Sequence, residues 1–151
     1  MSMYRFLECS VAQYMTKNLV VSRPEATLDA LEALFAEHDF NAFPVVSQTR
    51  LVGIVTKFDF LKAFVFTTSQ MVPHYDELMA RKVSDVMTRT VVDVRPDAPL
   101  TRVLAKMIEL KARSFPVTDA GGTLLGIISR EDIMRALKEA AHEAPGQRRT
   151  G

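Results

Sequence analysis

The sequence predicts an α+β fold, α/β-like in its alternation, made of two β-α-β-β-α repeats packed with pseudo-twofold symmetry. Three observations predict it. First, the chain repeats itself: 11–46 align with 83–118 at an offset of 72, and 51–61 with 124–134 at an offset of 73, with 17 identities over 47 positions. A single pair at this period is a doubled domain, because a solenoid needs three or more repeats. Second, each copy switches from short apolar runs to a 3.6-residue apolar period and back. Third, each copy closes on the same device. An apolar strand (Leu51 to Val55, Leu124 to Ile128) meets a hydroxyl residue, Thr56 or Ser129, and an aspartate follows three positions later, Asp59 or Asp132.

Met1 to Cys9 has no clear period and suits a strand or a loose arm. Ser10 to Gln13 spells a capping box for one helical turn ending near Met15. Leu19-Val20-Val21 is expected as a brief strand, stopped by Arg23-Pro24. Leu28, Leu31, Leu34 and Phe35 then mark an amphipathic helix. Phe43 to Val46, a polar turn over 47–50 and Leu51 to Val55 read as a hairpin. A helix from Lys57 is expected to turn Phe58, Leu61, Phe64 and Val65 to its apolar side. Thr67 to Lys82 is a linker with a short helix near His74 to Ala80.

The second copy follows suit. Val83 to Thr88 answers Val11 to Thr16, and Val91-Val92 is the second brief strand. A helix from about Pro99 should bury Leu100, Val103, Leu104, Met107 and Ile108. Phe115-Pro-Val117 opens the second hairpin, whose extra residue falls in the turn Asp119 to Gly122, where insertions cost least. The domains are thus 10–66 and 83–141, with the linker at 67–82. The tail 142–151 lacks apolar period and is expected to be disordered. A copy of about 60 residues buries only about 60% of its surface, so two copies should cover each other.

Composition excludes several functions. The chain has 151 residues, 48% of them apolar and 25% charged, and a net charge of +1. That balance argues against a nucleic-acid binder working through bulk charge. The single cysteine, Cys9, has no internal disulfide partner, and no Cys/His cluster has metal-ligand spacing. His38, His74 and His142 are scattered without acidic or cysteine partners. Gly121 and Gly122 are turn residues rather than a phosphate loop, since no Lys-Ser/Thr follows. No apolar run reaches membrane length, and Met1 to Leu7 lacks a signal-peptide core. The expectation is a soluble cytoplasmic protein that engages neither nucleic acid nor membrane.

The hydroxyl–x–x–Asp device carries the functional signal. A helix start presents unpaired N–H groups and the positive end of a dipole, which suit a phosphate. The same residues also read as plain helix caps, worth about 1 kcal/mol each.

Phe-Pro-Val opening each hairpin, Gly-Ile-x-Thr/Ser-x-x-Asp closing it, and the lead-ins Tyr14-Met15-Thr16 and Val86-Met87-Thr88 together resemble a tandem pair of CBS (cystathionine β-synthase) domains. The resemblance implies a stand-alone regulatory module rather than an enzyme. It would bind an adenine nucleotide (AMP, ADP or ATP) or a related adenosyl ligand in clefts between the repeats, work as a homodimer in energy sensing, and signal to an unknown regulated protein. It implies one site using Thr56, Lys57 and Asp59 with Thr16, Phe43 and Pro44. The other uses Ser129, Arg130 and Asp132 with Thr88, Arg113, Ser114, Phe115 and Pro116. The second ranks first, because Arg113 and Arg130 stand where the first copy has Asn41 and Lys57. The alternative is a structural dimerisation or docking module with empty clefts. An enzyme ranks last, since no nucleophile–base pair is visible.

Overall fold

The computed structural model describes residues 3–66 and 72–142. In chain order the helices and strands are α1 (Tyr4–Leu7), α2 (Val11–Tyr14), α3 (Leu28–Glu37), β1 (Ala42–Ser47), β2 (Arg50–Thr56), α4 (Lys57–Lys62) and α5 (Tyr75–Met79). A 3-10 turn (Val83–Asp85), α6 (Leu100–Leu110), β3 (Ser114–Thr118), β4 (Leu124–Ser129) and α7 (Arg130–Ala141) complete them. The fold is the mixed helix–strand architecture expected, with two small antiparallel sheets, β1–β2 and β3–β4.

The chain divides into two units whose composition differs from that of the repeats. One is built from described residues of Met1–Leu19 and Val92–Gly151, the other from those of Val20–Val91. Each lead-in therefore belongs to the unit holding the other repeat's hairpin. Val11 N–H donates to Ala98 O and Leu100 N–H to Cys9 O in the first unit. In the second, Val83 N–H donates to Ala26 O and Leu28 N–H to Arg81 O.

The brief strands expected at Leu19–Val21 and Val91–Val92 do not form. Their place is taken further along by single parallel bridges, Ser22 to Val45 and Val94 to Val117. Pro24 and Pro96 stand two residues beyond each bridge and end the pairing after one residue. Ser22 N–H donates to Pro44 O and accepts from Val46 N–H through its own carbonyl; Val94 repeats this with Pro116 and Thr118. On the opposite edge of each hairpin the lead-in adds an antiparallel bridge, Ile127 to Thr16 and Ile54 to Thr88.

Met3 to Cys9 contains a helix rather than a strand. Phe6 on α1 is buried in a core with Leu100, Val103, Phe115, Ile128 and Ile133. The other unit packs Leu28, Leu31, Phe43, Val45, Val55 and Val83. α2 starts as expected, Gln13 Oε1 accepting from Ser10 N–H at 2.9 Å. Two expected inward faces are corrected. Phe60 on α4 and Phe64 beyond its end pack on the core, so Phe58, Leu61 and Val65, on the other side, are exposed. Ile108 is 71% exposed, because α6 turns Leu100, Val103 and Met107 inward. The expected disordered tail lies, apart from His142, outside the described residues.

Candidate functional site

Each unit holds one aspartate at the start of the helix after its hairpin. Asp59 and Asp132 are 2% and 3% exposed, so each carboxylate needs partners to remain charged. A reciprocal cap supplies the first set. Thr56 Oγ1 accepts from Asp59 N–H at 2.9 Å, and Asp59 Oδ2 accepts from Thr56 N–H at 3.1 Å. Ser129 Oγ accepts from Asp132 N–H at 3.2 Å, and Asp132 Oδ2 accepts from Ser129 N–H at 2.9 Å. The cap reading is therefore correct as local structure.

The second partner comes from the lead-ins, and here the expected grouping is reversed. Thr16 was expected beside Asp59 and Thr88 beside Asp132. In the structure Thr16 Oγ1 lies 3.3 Å from Asp132 Oδ1, and Thr88 Oγ1 lies 3.2 Å from both oxygens of Asp59. The cause is the backbone. Thr16 N–H donates to Ile127 O at 2.8 Å and Ile127 N–H to Thr16 O at 2.9 Å; Thr88 and Ile54 exchange the same pair. Glycine permits that approach. A Cβ on Gly126 would stand 2.8 Å from Thr16 O and 3.0 Å from Met15 Sδ, and one on Gly53 would stand 2.8 Å from Thr88 O.

The hairpin adds its own residues. Ser114 pairs with Ser129 across β3–β4, and Arg130 N–H donates to Arg113 O at 3.0 Å. Thus Arg113, Ser114, Ser129, Arg130 and Asp132 gather at one helix start. Ala42 and Thr56 pair likewise, and Lys57 N–H donates to Asn41 O. Phe43 and Phe115 belong to the two cores, and Pro44 and Pro116 are buried beside them, so these four side chains are turned away from solvent while Ser114 is exposed. The Arg130 guanidinium is engaged elsewhere, donating to Ala112 O at 2.9 Å and Lys111 O at 3.3 Å at the end of α6. The Lys57 ammonium sits 5.9 Å from the Phe35 ring centroid.

Two cations escaped the sequence reading. Lys62 Nζ donates to Asp59 Oδ1 at 2.8 Å, and Arg135 Nη1 stands 3.5 Å from Asp132 Oδ1. They occupy matching positions of the two copies, a basic residue three places after each aspartate, and that match was the available signal. Burial pushes the Asp59 carboxyl upward, but the bonds from Lys62 and Thr56 outweigh it and hold it below its ordinary value. Arg135 also donates to Tyr14 O at 2.9 Å and lies over the Tyr14 ring. Among the described residues no group of acidic, cysteine or histidine side chains could hold a metal ion. No helix there is long and apolar enough to cross a membrane.

The arrangement in each unit is a buried carboxylate, a threonine hydroxyl bound to it, and a helix start opposite the Phe-Pro strand. The CBS domain model matches residues 11–65 and 83–139. The chain belongs to the CBS domain family. The CBS pair CBSX2 from Arabidopsis thaliana, in its complex with AMP, superposes at a TM-score of 0.73 with 29% identity, covering 87% of this chain and 98% of that one. The CBS domain pair of protein MJ0100, in complex with 5′-methylthioadenosine and S-adenosyl-L-methionine, superposes at 0.65 with 25% identity, covering 84% and 98%. A homoserine O-acetyltransferase of Methanococcoides burtonii is 33% identical over 129 residues, 85% of this CBS chain but 24% of that protein. The chain thus spans about a quarter of that curated relative's length.

Proposed function

We propose that this CBS pair is a regulatory module that binds an adenosyl ligand, an adenine nucleotide such as AMP, ADP or ATP, at its aspartate-bearing helix starts. The observation that carries the reading is the Asp132 carboxylate, buried at the start of the twelve-residue α7 with the Thr16 hydroxyl on it. Ribose hydroxyls would donate to the carboxylate, and the phosphate would lie toward the helix start and Ser129. Backbone groups of Ser114 to Pro116 would meet the base, with Arg113 beside the phosphate and the Arg130 guanidinium joining it on leaving Ala112 O and Lys111 O. Thr56, Lys57 and Asp59, with Thr88, Phe43 and Pro44, would form the equivalent site of the other unit. The AMP complex of CBSX2 and the adenosyl ligands of the MJ0100 pair support the ligand class.

Calorimetric titration with AMP, ATP and S-adenosylmethionine tests the reading. Asp132→Asn keeps an acceptor for the cap but removes charge-assisted bonds worth about 1.5–3 kcal/mol each. Its affinity should fall at least about tenfold. Unchanged affinity in both Asp132→Asn and Asp59→Asn, or no uptake by the wild type, would reject the ribose role.

A second reading, docking or dimerisation, is favoured by exposed apolar side chains. Phe58 and Leu61 on α4 and Ile108 and Met134 on α6 and α7 are each more than half exposed. A groove of about 410 Å³ between α6 and α7 is lined by Leu104, Ile108, Met134 and Leu137 among others. A homodimer joined through such faces is compatible with ligand binding, and occupancy would reach a partner protein through these helices.

A further inference from the structure

The two aspartates are equivalent in sequence but not in what holds their Oδ1 oxygens. A carboxylate offers about four lone-pair positions. At Asp59, Oδ1 accepts from Lys62 Nζ at 2.8 Å and Oδ2 from Thr56 N–H at 3.1 Å, while the single Thr88 hydroxyl hydrogen, 3.2 Å from both oxygens, serves one of them at a time. Asp132 is lopsided. Its Oδ2 accepts from Ser129 N–H and Ser129 Oγ, both at 2.9 Å, and more distantly from Thr16 Oγ1 at 3.5 Å. Its Oδ1 has, among the described residues, only Thr16 Oγ1 at 3.3 Å and Arg135 Nη1 at 3.5 Å, the latter an ion pair without hydrogen-bond geometry.

We infer that Lys62 decides the order in which the two units take a ligand: it closes Asp59 to a vicinal diol, while Asp132 keeps one oxygen available. The inference rests on the reading of these carboxylates as ribose acceptors. A diol at Asp132 uses Oδ1 after the Thr16 hydroxyl turns away, and Arg135 is already held by Tyr14 O at 2.9 Å. A diol at Asp59 must first displace an ammonium in direct contact. A ribose hydroxyl and the ammonium both make charge-assisted bonds to the carboxylate, but only the ammonium adds a full opposite charge, at 2.8 Å, so the exchange of Lys62 for a hydroxyl is unfavourable. The lysine side chain is 52% exposed and its ammonium lies 5.7 Å from the ring centroid of Phe58, itself exposed, so replacing it touches no residue of the buried core.

The wild-type chain should therefore bind one AMP per chain in calorimetric titration, and Asp132→Asn should abolish that site. Lys62→Met should raise the stoichiometry from one to two, with the added site within about tenfold of the first in affinity. Combining it with Asp59→Asn should return the value to one. Lys62→Gln serves as a second variant, and melting curves of each establish that folding is retained. Two equal sites in the wild type, a first site lost with Asp59→Asn instead of Asp132→Asn, or a stoichiometry that stays at one in both Lys62 variants would overturn the inference while leaving the ribose reading intact. Absence of AMP uptake by every form would overturn both.

Discussion

Thr16 and Asp132, 116 positions apart in the chain, meet at 3.3 Å. The contact joins the lead-in of one repeat to the closing helix of the other. It depends on Ile127 pairing with Thr16 and on the bare Cα of Gly126 beneath Met15 and Thr16. The Thr88–Asp59 contact depends in the same way on Ile54 and Gly53.

Gly126→Ala should separate that pair. The added methyl meets a backbone carbonyl at 2.8 Å, which cannot swing aside as a flexible side chain would. Overpacking of this kind costs about 1–3 kcal/mol. Urea unfolding should show the loss, and exchange at the Thr16 and Ile127 amides should quicken. Gly121→Ala is the control, since its Cβ would meet only Asp119 Oδ1, at 3.4 Å. Equal stability of the two variants would contradict the close approach.

Asp59 should make the protein sensitive to acid in a defined window. Its folded pKa lies below the unfolded value of about 3.9. Its contribution is therefore complete above that value and disappears as pH falls through the folded pKa. Stability of the wild type and Asp59→Asn, followed from pH 6 to pH 2, should converge at the acid end. Curves that stay parallel throughout would show that the carboxylate is not held as an ion.

Tyr14 predicts an alkaline transition. Burial, reinforced by the hydrogen bond to Glu139, pushes its phenol up to about 12. A raised folded pKa means that the contribution is present below the unfolded value near 10 and lost as pH rises through about 12. Ultraviolet titration should resolve a late phenolate that Tyr14→Phe removes. If Tyr14→Phe leaves the late phase in place, the assignment fails.

Exposed apolar side chains on α4 should hold copies of the chain together. Phe58 and Leu61 are 73% and 59% exposed, on one side of a short helix. Light scattering at micromolar concentration should return twice the single-chain mass, and Phe58→Ser with Leu61→Ser should halve it. A wild type with the mass of one chain would remove the homodimer.

Much of this was legible in the residues. The duplication, both hairpins, α3, α6, α7 and the capped helix starts follow from local signals, because apolar period and hydroxyl–carboxylate caps act within a few positions. The family followed from those motifs in order, and the match to residues 11–65 and 83–139 shows it. The cations Lys62 and Arg135 were visible as aligned basic residues, yet nothing local said that they would contact carboxylates rather than water.

What the tertiary structure decided was which copy of each motif meets which. Thr16 and Thr88 carry the same local sequence, Met-Thr, and Gly53 and Gly126 sit in the same Gly-Ile frame, so either pairing satisfies the same hydrogen bonds. The choice is made by chain path: Val20–Val91 closes as one unit around Thr88 and Asp59, leaving Thr16 to Asp132. The brief strands were overestimated for a related reason. Apolar residues at Leu19–Val21 and Val91–Val92 signal burial, but the prolines that follow limit pairing to the single bridges at Ser22 and Val94. Sequence determined the parts and their local geometry; long-range backbone pairing determined the composition of each site.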